Sequence, residues 1–444
     1  MKIRFWGTRG SIATPGPQTV RYGGNTSCVE IVTDAGARFI IDCGTGARSL
    51  GGQMMASGTK GIEATLLLSH THWDHIQGFP FFTPAFIKGN KFTVCGPNGA
   101  NVSLPEVLAG QMEYTYFPVE LAQLGAAIDF RDLSEGTFEI AGARITTKFL
   151  NHPAISLGYR IEADGATVLY LSDHEPYWEP LWRSDAEPGR VESILHDEDR
   201  RHALFMRDAD IVIHDAQYTP EEYPTKKGWG HSTYSYVTQM AAAMGVKRLF
   251  LTHHDPTHND DFLARLEEKA QEMAGILPSR LNVSCAREET EFTAAGTAPG
   301  GTAGSAAAMA ELSLDMGSLM ILVIDDDEDM RLITSSALKR SGHRVMVAPG
   351  GQEGLAMAQQ FTPDLVVLDL NMPAPDGFEV LKLLRARKET RDVAIIVLTG
   401  QGDEASVKAS FELGATDFLP KPFTLPQLDA RVRSCFAHAK GEKR

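Results

Sequence analysis

The 444-residue chain predicts an α/β protein built in two parts. Three observations point there. Residues 319–444 alternate apolar strands with amphipathic helices, the pattern of a doubly wound parallel sheet. Residues 1–292 run through strands and hairpins before strand–helix alternation begins. Between them, residues 293–318 read TAAGTAPGGTAGSAAAMAELSLDMGS, with no periodic apolar face, and are expected to form a flexible linker whose later part is helical. Histidine use shifts across this boundary: of the 14 histidines only His343 and His438 follow it, so the two parts carry different chemistry.

Composition narrows the functional classes. A hydrophobic content of 43% with 22% charged residues suits packed globular cores. A formal charge of −15 argues against a broad basic surface for duplex DNA. The five cysteines (Cys28, Cys43, Cys95, Cys285 and Cys435) show no C-x-x-C spacing and no paired framework, which favours a reducing compartment. Cys28 and Cys43 lie in apolar contexts and are expected to pack in the core. Met1-Lys2-Ile3-Arg4-Phe5-Trp6 enters a strand-like pattern directly, without a signal-peptide apolar region, and no run reaches membrane-spanning length. The expectation is a cytoplasmic protein without a membrane partner.

Element by element, residues 28–43 predict a hairpin turning at Asp34-Ala35-Gly36, and 155–171 another turning at Asp164-Gly165. A strand follows at 210–214, a helix at 232–244, a strand at 248–252 and a helix at 260–274, the last with Phe262, Leu263, Leu266 and Met273 at helical spacing. Residues 176–207, charged and bearing tryptophan, interrupt the alternation as a helical insertion.

The chemistry of the first part is concentrated in Ser69-His70-Thr71-His72-Trp73-Asp74-His75, directly after the apolar run Thr65-Leu66-Leu67-Leu68. His70 and His72 point one way, and Asp74 and His75 turn toward a neighbouring position. Four ligands from one side crowd a single ion, so the spacing suits two adjacent metals. Other apolar strands end in the same manner. His152 follows Ile145–Leu150, Asp173 follows Val168–Ser172, and His253 follows Leu249–Thr252.

This ordered set, SHTHWDH, His152, Asp173 in LSDHE and His253 in LTHHDP, resembles the metallo-β-lactamase-fold hydrolases over residues 1–292. The resemblance implies an αββα sandwich. By position it implies that His70, His72 and His152 hold one divalent transition-metal ion, that Asp74, His75 and His253 hold the other, and that Asp173 bridges them. Zn²⁺ is the expected metal, with Mn²⁺ or Fe as alternatives. His253 is preferred over its neighbour His254 for its place relative to the strand. Asp42 matches the family's buried structural aspartate. An aspartate at the bridge is the phosphodiesterase pattern, where many β-lactamases place a cysteine. A pair of ions about 3.5–4 Å apart both activates water and clamps a phosphoryl oxygen. Asp74 is a further catalytic candidate, orienting or deprotonating that water.

His214-Asp215-Ala216-Gln217 and Gly230-His231-Ser232-Thr233 resemble the acidic and His-Ser-Thr loops of the RNase Z-like branch, with Asp215 where that branch commonly has glutamate. The resemblance implies that Asp215 orients His231 and that His231 stabilises the phosphoryl group or protonates the leaving oxygen. The alternative is that Ser232 caps the following helix, with His231 in its entry loop.

In the second part, Ile321-Leu322-Val323-Ile324 ends in Asp325-Asp326-Asp327 and Leu365-Val366-Val367-Leu368 in Asp369. Ile395-Ile396-Val397-Leu398 ends in Thr399, and Phe418-Leu419-Pro420 precedes Lys421. Carboxylates at the carboxyl ends of adjacent parallel strands converge where Mg²⁺ prefers oxygen ligands. The set resembles a response-regulator receiver domain of flavodoxin-like (βα)5 fold. That implies Asp369 as phosphoacceptor, and Mg²⁺ on Asp325, Asp326, Asp369 and the Asn371 carbonyl. Thr399 and Lys421 would contact the phosphoryl group, with Phe418 at the aromatic switch position. A cognate sensor histidine kinase or phosphotransfer protein is the implied partner. Nothing resembling a DNA-binding output follows Lys440, so the output is expected to be the metal domain, a partner, or self-association into a homodimer.

The combined expectation is a two-component-regulated dinuclear phosphodiesterase acting on a cyclic nucleotide or another small phosphodiester. The alternatives are an RNase Z-like ribonuclease, and a lactonase, thioesterase or β-lactamase-type hydrolase on the same fold. RNase Z-type enzymes carry a long tRNA-binding arm between the third histidine and the bridging aspartate. Here only residues 153–172 occupy that interval.

Overall fold

The computed structural model describes residues 1–97, 102–177, 181–182, 191–277, 279–294, 319–400, 406, 409–411, 413–421, 423, 428, 431–432 and 435. The chain divides into two compact units, Met1–Leu312 and Ser313–Arg444.

In the first unit, β1 (Lys2–Gly7), β2 (Cys28–Val32), β3 (Arg38–Ile41), β4 (Glu63–Leu67), β5 (Lys91–Pro97) and β6 (Ala127–Leu133) build one sheet. The second sheet comprises β7 (Gly136–Ile140), β8 (Ala143–Phe149), β9 (Leu157–Ala163), β10 (Ala166–Leu171), β11 (Ile211–Asp215), β12 (Arg248–Thr252) and β13 (Asn282–Cys285). A last strand, β14 (Glu291–Thr293), returns to the first sheet beside β1, pairing Thr293 with Lys2. Thr293, the first residue of the expected linker, is therefore part of the sheet, and residues 295–318 lie outside the described residues.

Alternating side chains decide the layering. In β3, Phe39 and Ile41 enter the core between the sheets while Ile40 faces outward; in β12, Phe250 enters it while Leu249 and Leu251 face the other way. Both faces are apolar because both are covered. Helix α1 (Gly46–Ala56) covers the first sheet with Ala47, Leu50 and Met54. The helices α4 (Asp197–Met206), α5 (Tyr234–Ala243) and α6 (Asp260–Ile276) pack on the second. The result is an αββα sandwich. Two short helices, α2 (Trp73–Ile76) and α3 (Leu104–Gly110), lie in loops of the first half.

The expected hairpins are present: β2 pairs antiparallel with β3, and β9 with β10. In α6, the Asn259 side chain caps the first turn by accepting from Phe262 N at 2.9 Å, and Leu263, Leu266, Ala270 and Ala274 are buried. Of the expected insertion, 178–180 and 183–190 lie outside the described residues, and α4 forms its helical part.

In the second unit, β15 (Met320–Ile324), α7 (Glu328–Arg340), β16 (Arg344–Ala348), α8 (Gly351–Phe361), β17 (Leu365–Asp369), α9 (Gly377–Ala386), β18 (Ala394–Gly400) and β19 (Asp417–Lys421) alternate as predicted. The five strands are parallel in the order β16-β15-β17-β18-β19, the flavodoxin-like arrangement. Among the described residues no helix is long and apolar enough to cross a membrane. All five cysteines are buried thiols.

Candidate metal centre and receiver pocket

Strand direction brings the polar loops of the first unit together. β1, β3 and β4 run one way in the first sheet, as do β8, β10, β11 and β12 in the second. Their carboxyl ends carry Ser11, Asp42, His70–His75, His152, Asp173, Asp215 and His253. Two donor sets form there, His70/His72/His152/Asp173 and Asp74/His75/His253/Asp173.

Asp173 faces both sets. Its Oδ2 lies 3.5 Å from His70 Nε2 and 3.8 Å from His152 Nε2. Its Oδ1 lies 3.3 Å from His75 Nε2 and 3.2 Å from His253 Nε2. Asp74 Oδ2 completes the second set at 3.2 Å from His75 Nε2 and 3.1 Å from His253 Nε2.

Hydrogen bonds behind the rings decide which nitrogen faces inward. His75 Nδ1 donates to Asp42 Oδ2 at 2.7 Å, and His253 Nδ1 donates to Gln217 Oε1 at 3.0 Å. His152 Nδ1 donates to the Gly230 carbonyl at 3.2 Å. Ser69 gives its own proton to Asp42, so its Oγ accepts from His70 Nδ1 at 3.1 Å. His72 is the exception: its Nδ1 lies 3.2 Å from His152 Nε2 and is the inward nitrogen. His254, the sequence neighbour of His253, points away and bonds the Ala286 carbonyl at 3.0 Å.

The backbone is strained where these residues meet. Asp42, Asp173, His253 and Ser11 have φ of +58°, +61°, +58° and +61°. Such conformations cost non-glycine residues about 1–3 kcal/mol each and persist where the surroundings over-determine them. Asp42 shows how: fully buried, it accepts from Ser69 N and Oγ, His75 Nδ1 and Tyr170 Oη at 2.7–2.9 Å.

Charge is unevenly shared. Burial drives His70 well below its ordinary pKa and His152 down to about 3, so both are neutral imidazoles. Burial opposes the charged form of His75 and His253 too. Yet Asp74, Asp173 and Asp42 hold His75 well above its usual value, and Asp173 with Asp74 pushes His253 up to about 9. Asp74 and Asp173, despite burial, fall well below the carboxylate range because of those imidazoles. Two ionised carboxylates therefore face the centre. His70 Nε2 is also buried without a hydrogen-bond partner among the described residues. Inward-facing imidazole nitrogens, an unpartnered donor atom and converging carboxylates fit a pair of divalent transition-metal ions.

Over this centre lies a cleft of about 420 Å³ lined by Ser11, Thr71, His72, Trp73, Asp74, Asp173, His231 and His253. His231 stacks on His253 with ring centroids 4.8 Å apart, and its Nδ1 donates to Asp215 Oδ2 at 3.1 Å. That leaves Nε2 as the nitrogen for the cleft. The helix-capping alternative is corrected at its key residue: Thr233 caps α5, accepting from Tyr236 N at 3.2 Å, while Ser232 Oγ donates to the His174 carbonyl.

Several site residues escaped sequence reasoning. Ser11 N donates to Asp74 Oδ2 at 2.8 Å. Gly10 permits that approach, since a Cβ there would meet the His253 imidazole at 2.3 Å. The glycines of Gly7-Thr8-Arg9-Gly10 at a strand end were the available signal. Gln217, Tyr170 and Glu175 gave no signal, because their roles are set by partners distant in sequence.

In the receiver unit, Asp325, Asp326 and Asp369 form a third carboxylate set. Lys421 Nζ lies 2.8 Å from Asp325 Oδ2 and 3.0 Å from Asp369 Oδ2. Burial alone would lower its pKa, but these carboxylates carry it above the ordinary value. Asn371 N donates to Asp369 Oδ1 at 3.3 Å, and Thr399 Oγ1 is buried with no partner among the described residues. Phe418 lies edge-on to Phe411 at 5.9 Å.

Fold and sites together define a metallo-β-lactamase-type domain and a receiver domain. Residues 37–254 match the beta-lactamase superfamily domain and residues 321–433 the response regulator receiver domain. The chain thus joins a beta-lactamase-superfamily domain to a response regulator receiver domain. Among curated relatives, the transcriptional regulatory protein AfsQ1 of Streptomyces coelicolor is 38% identical over 122 residues, 28% of this chain and 53% of its own. A chemotaxis protein CheY of Rhizobium etli is 35% identical over 123 residues, 28% of this chain and 95% of its own. The chain spans about half the length of the first curated relatives it matches. Solved structures include the metallo-beta-lactamase fold protein YhfI from Bacillus subtilis, at 17% identity, covering 66% of this chain and 98% of that one with TM-score 0.45. Human tRNase Z, short form, is 19% identical, with coverage of 66% and 99% and TM-score 0.45. A receiver domain implies a histidine kinase or phosphotransfer partner.

Proposed function

We propose that the first domain is a dinuclear phosphodiesterase for a cyclic nucleotide or another small phosphodiester, and that phosphorylation of Asp369 controls it. The observation that carries this reading is the pair of donor sets sharing Asp173, with His231 held by Asp215 beside them. His70, His72 and His152 would hold one ion and Asp74, His75 and His253 the other. Zn²⁺ is favoured, with Mn²⁺ or Fe as alternatives. Bound there, the ions would supply Lewis acidity toward a phosphoryl oxygen and a water acidic enough to attack at neutral pH. Asp74, steadied by Ser11 N–H, orients the attacking water. In its doubly protonated form, with Nδ1–H held by Asp215 Oδ2, His231 presents Nε2–H to the cleft and gives that proton to the leaving ester oxygen as the P–O bond breaks, which leaves the neutral Nδ1–H ring.

Two observations favour a small substrate. Residues 157–171, inside the interval that carries the tRNA arm in RNase Z-type enzymes, are consumed by β9 and β10. Trp73, on the cleft wall, is 77% exposed and offers its ring to a planar base. The test is turnover of bis-p-nitrophenyl phosphate, 3′,5′-cyclic nucleotides, lactones and thioesters by metal-loaded protein. Activity on lactones or thioesters and on no phosphodiester refutes the reading. Base stacking contributes about 1–3 kcal/mol. Trp73→Ala is therefore expected to raise KM for a cyclic nucleotide about 5- to 150-fold while kcat changes little.

In the receiver, Asp325, Asp326 and Asp369, with the Asn371 carbonyl, would hold Mg²⁺, which would neutralise phosphoryl oxygens. Thr399 and Lys421 would contact the phosphoryl group. Acetyl phosphate is expected to label the wild type in the presence of Mg²⁺ but not Asp369→Ala. Beryllofluoride is expected to raise turnover several-fold to roughly 100-fold, the range of coupling energies of about 1–3 kcal/mol. Turnover and oligomeric size both indifferent to beryllofluoride would remove the regulatory part of the proposal.

A further inference from the structure

Glu175, two residues beyond Asp173, is absent from both donor sets and does not line the cleft. Its carboxylate is nevertheless tied into the wall of the centre. Oε2 accepts from Gly230 N at 2.8 Å. Oε1 accepts from Gly228 N at 2.7 Å and from Tyr223 Oη at 3.0 Å. Its main chain is held as well. Glu175 N donates to the Asn151 carbonyl at 2.8 Å, and Asn151 Nδ2 donates to the Glu175 carbonyl at 2.9 Å.

These bonds close a ring around one donor. Asn151 precedes His152, and the carbonyl of Gly230 accepts from His152 Nδ1 at 3.2 Å. The peptide units flanking Gly230 therefore join two contacts: N–H to Glu175 on one side and C=O to His152 on the other. Gly230 is at φ +89°, and a Cβ there would stand 2.0 Å from His152 Nδ1. The carbonyl reaches the ring only because the loop carries glycine and because Glu175 holds the preceding peptide in place. His231 follows directly in the chain.

We infer that Glu175 is a positioning residue for the first donor set: through Gly230 it sets the tautomer and orientation of His152, and with them the affinity of the His70/His72/His152 position for a divalent ion. The inference rests on the two-metal reading above. A partner one bond removed from a metal-ligating imidazole typically governs about 10- to 100-fold in affinity. Glu175 reaches His152 through a peptide, so the lower part of that range is expected.

The experiment measures Zn²⁺ stoichiometry and stepwise affinity of the full chain by competition with a chromophoric chelator, beside far-UV circular dichroism. Wild type is expected to take up two equivalents in the first domain. If it takes up none, the metal reading itself fails. Glu175→Gln places an NH₂ where one of the two carboxylate oxygens accepts. It is expected to weaken one equivalent about 10-fold and leave the other within about 3-fold. Gly230→Ala is expected to weaken the same equivalent from the other side of the link. Tyr223→Phe removes a donor to Oε1 without touching the Gly230 bond and is expected to leave both affinities unchanged.

Wild-type affinities in folded Glu175→Gln, or in folded Gly230→Ala should the first variant unfold, overturn the inference. A loss in Tyr223→Phe equal to that in Glu175→Gln overturns it too, since general loosening of the loop would then be the cause. Should neither Glu175→Gln nor Gly230→Ala yield folded protein, Glu175 is a determinant of folding and the positioning role is rejected.

Discussion

Asp173→Ala is expected to strip one or both ions from the first domain and abolish nearly all phosphodiester turnover. Asp173 is the residue common to both donor sets, with one oxygen toward each. Its loss removes a donor from each position and leaves three protein donors at each. His75 and His253, held above their ordinary values in part by Asp173, lose a counter-charge. A Lewis-acidic centre contributes several kcal/mol, so a fall in kcat of about 10³-fold or more is expected. Metal analysis of the purified variant beside initial rates on bis-p-nitrophenyl phosphate checks it. Two tightly bound ions in the variant would refute the shared role of Asp173.

His231→Ala is expected to keep both ions yet lose about 10²- to 10⁴-fold in turnover, the usual scale of a general acid. Its ring lies on the cleft wall, and its Nδ1 is spent on Asp215. Unchanged rates would return His231 to a purely structural place in the loop before α5. Asp215 is a less clean test than its pairing suggests. Besides His231 it accepts from His174 N, Ser232 N and Gln217 N, and Gln217 in turn accepts from His253. Asp215→Ala is therefore expected to cost metal affinity as well as turnover and to combine non-additively with His231→Ala.

Much of this site was legible in the chain because strand ends are local events. An apolar run followed by His or Asp marks where a strand stops and a polar side chain begins, and it recurs at His70, His152, Asp173 and His253. The choice of His253 over His254 could likewise be made by counting from the end of β12, and in the structure His253 faces the centre while His254 turns to Ala286. The receiver pocket was more legible still. In a parallel sheet every strand presents its carboxyl end to the same edge, so Asp325, Asp369, Thr399 and Lys421 converge once the strands are recognised.

What the sequence by itself determined, then, was the order and type of elements, the division into two parts, and the strand-end residues able to act as donors. Those properties follow from hydrophobic periodicity and from side-chain chemistry within a few residues. Tertiary structure alone decided the rest. It selected Thr233 rather than Ser232 as the helix cap, turned inward the Nδ1 of His72 but the Nε2 of the other imidazoles, and brought Ser11, Gln217 and Glu175 to residues as distant as Asp74, His253 and Gly230. Ring orientation, tautomer and hydrogen-bond pairing depend on which segments meet across the sandwich, and that is settled by the packing of two sheets on a shared core.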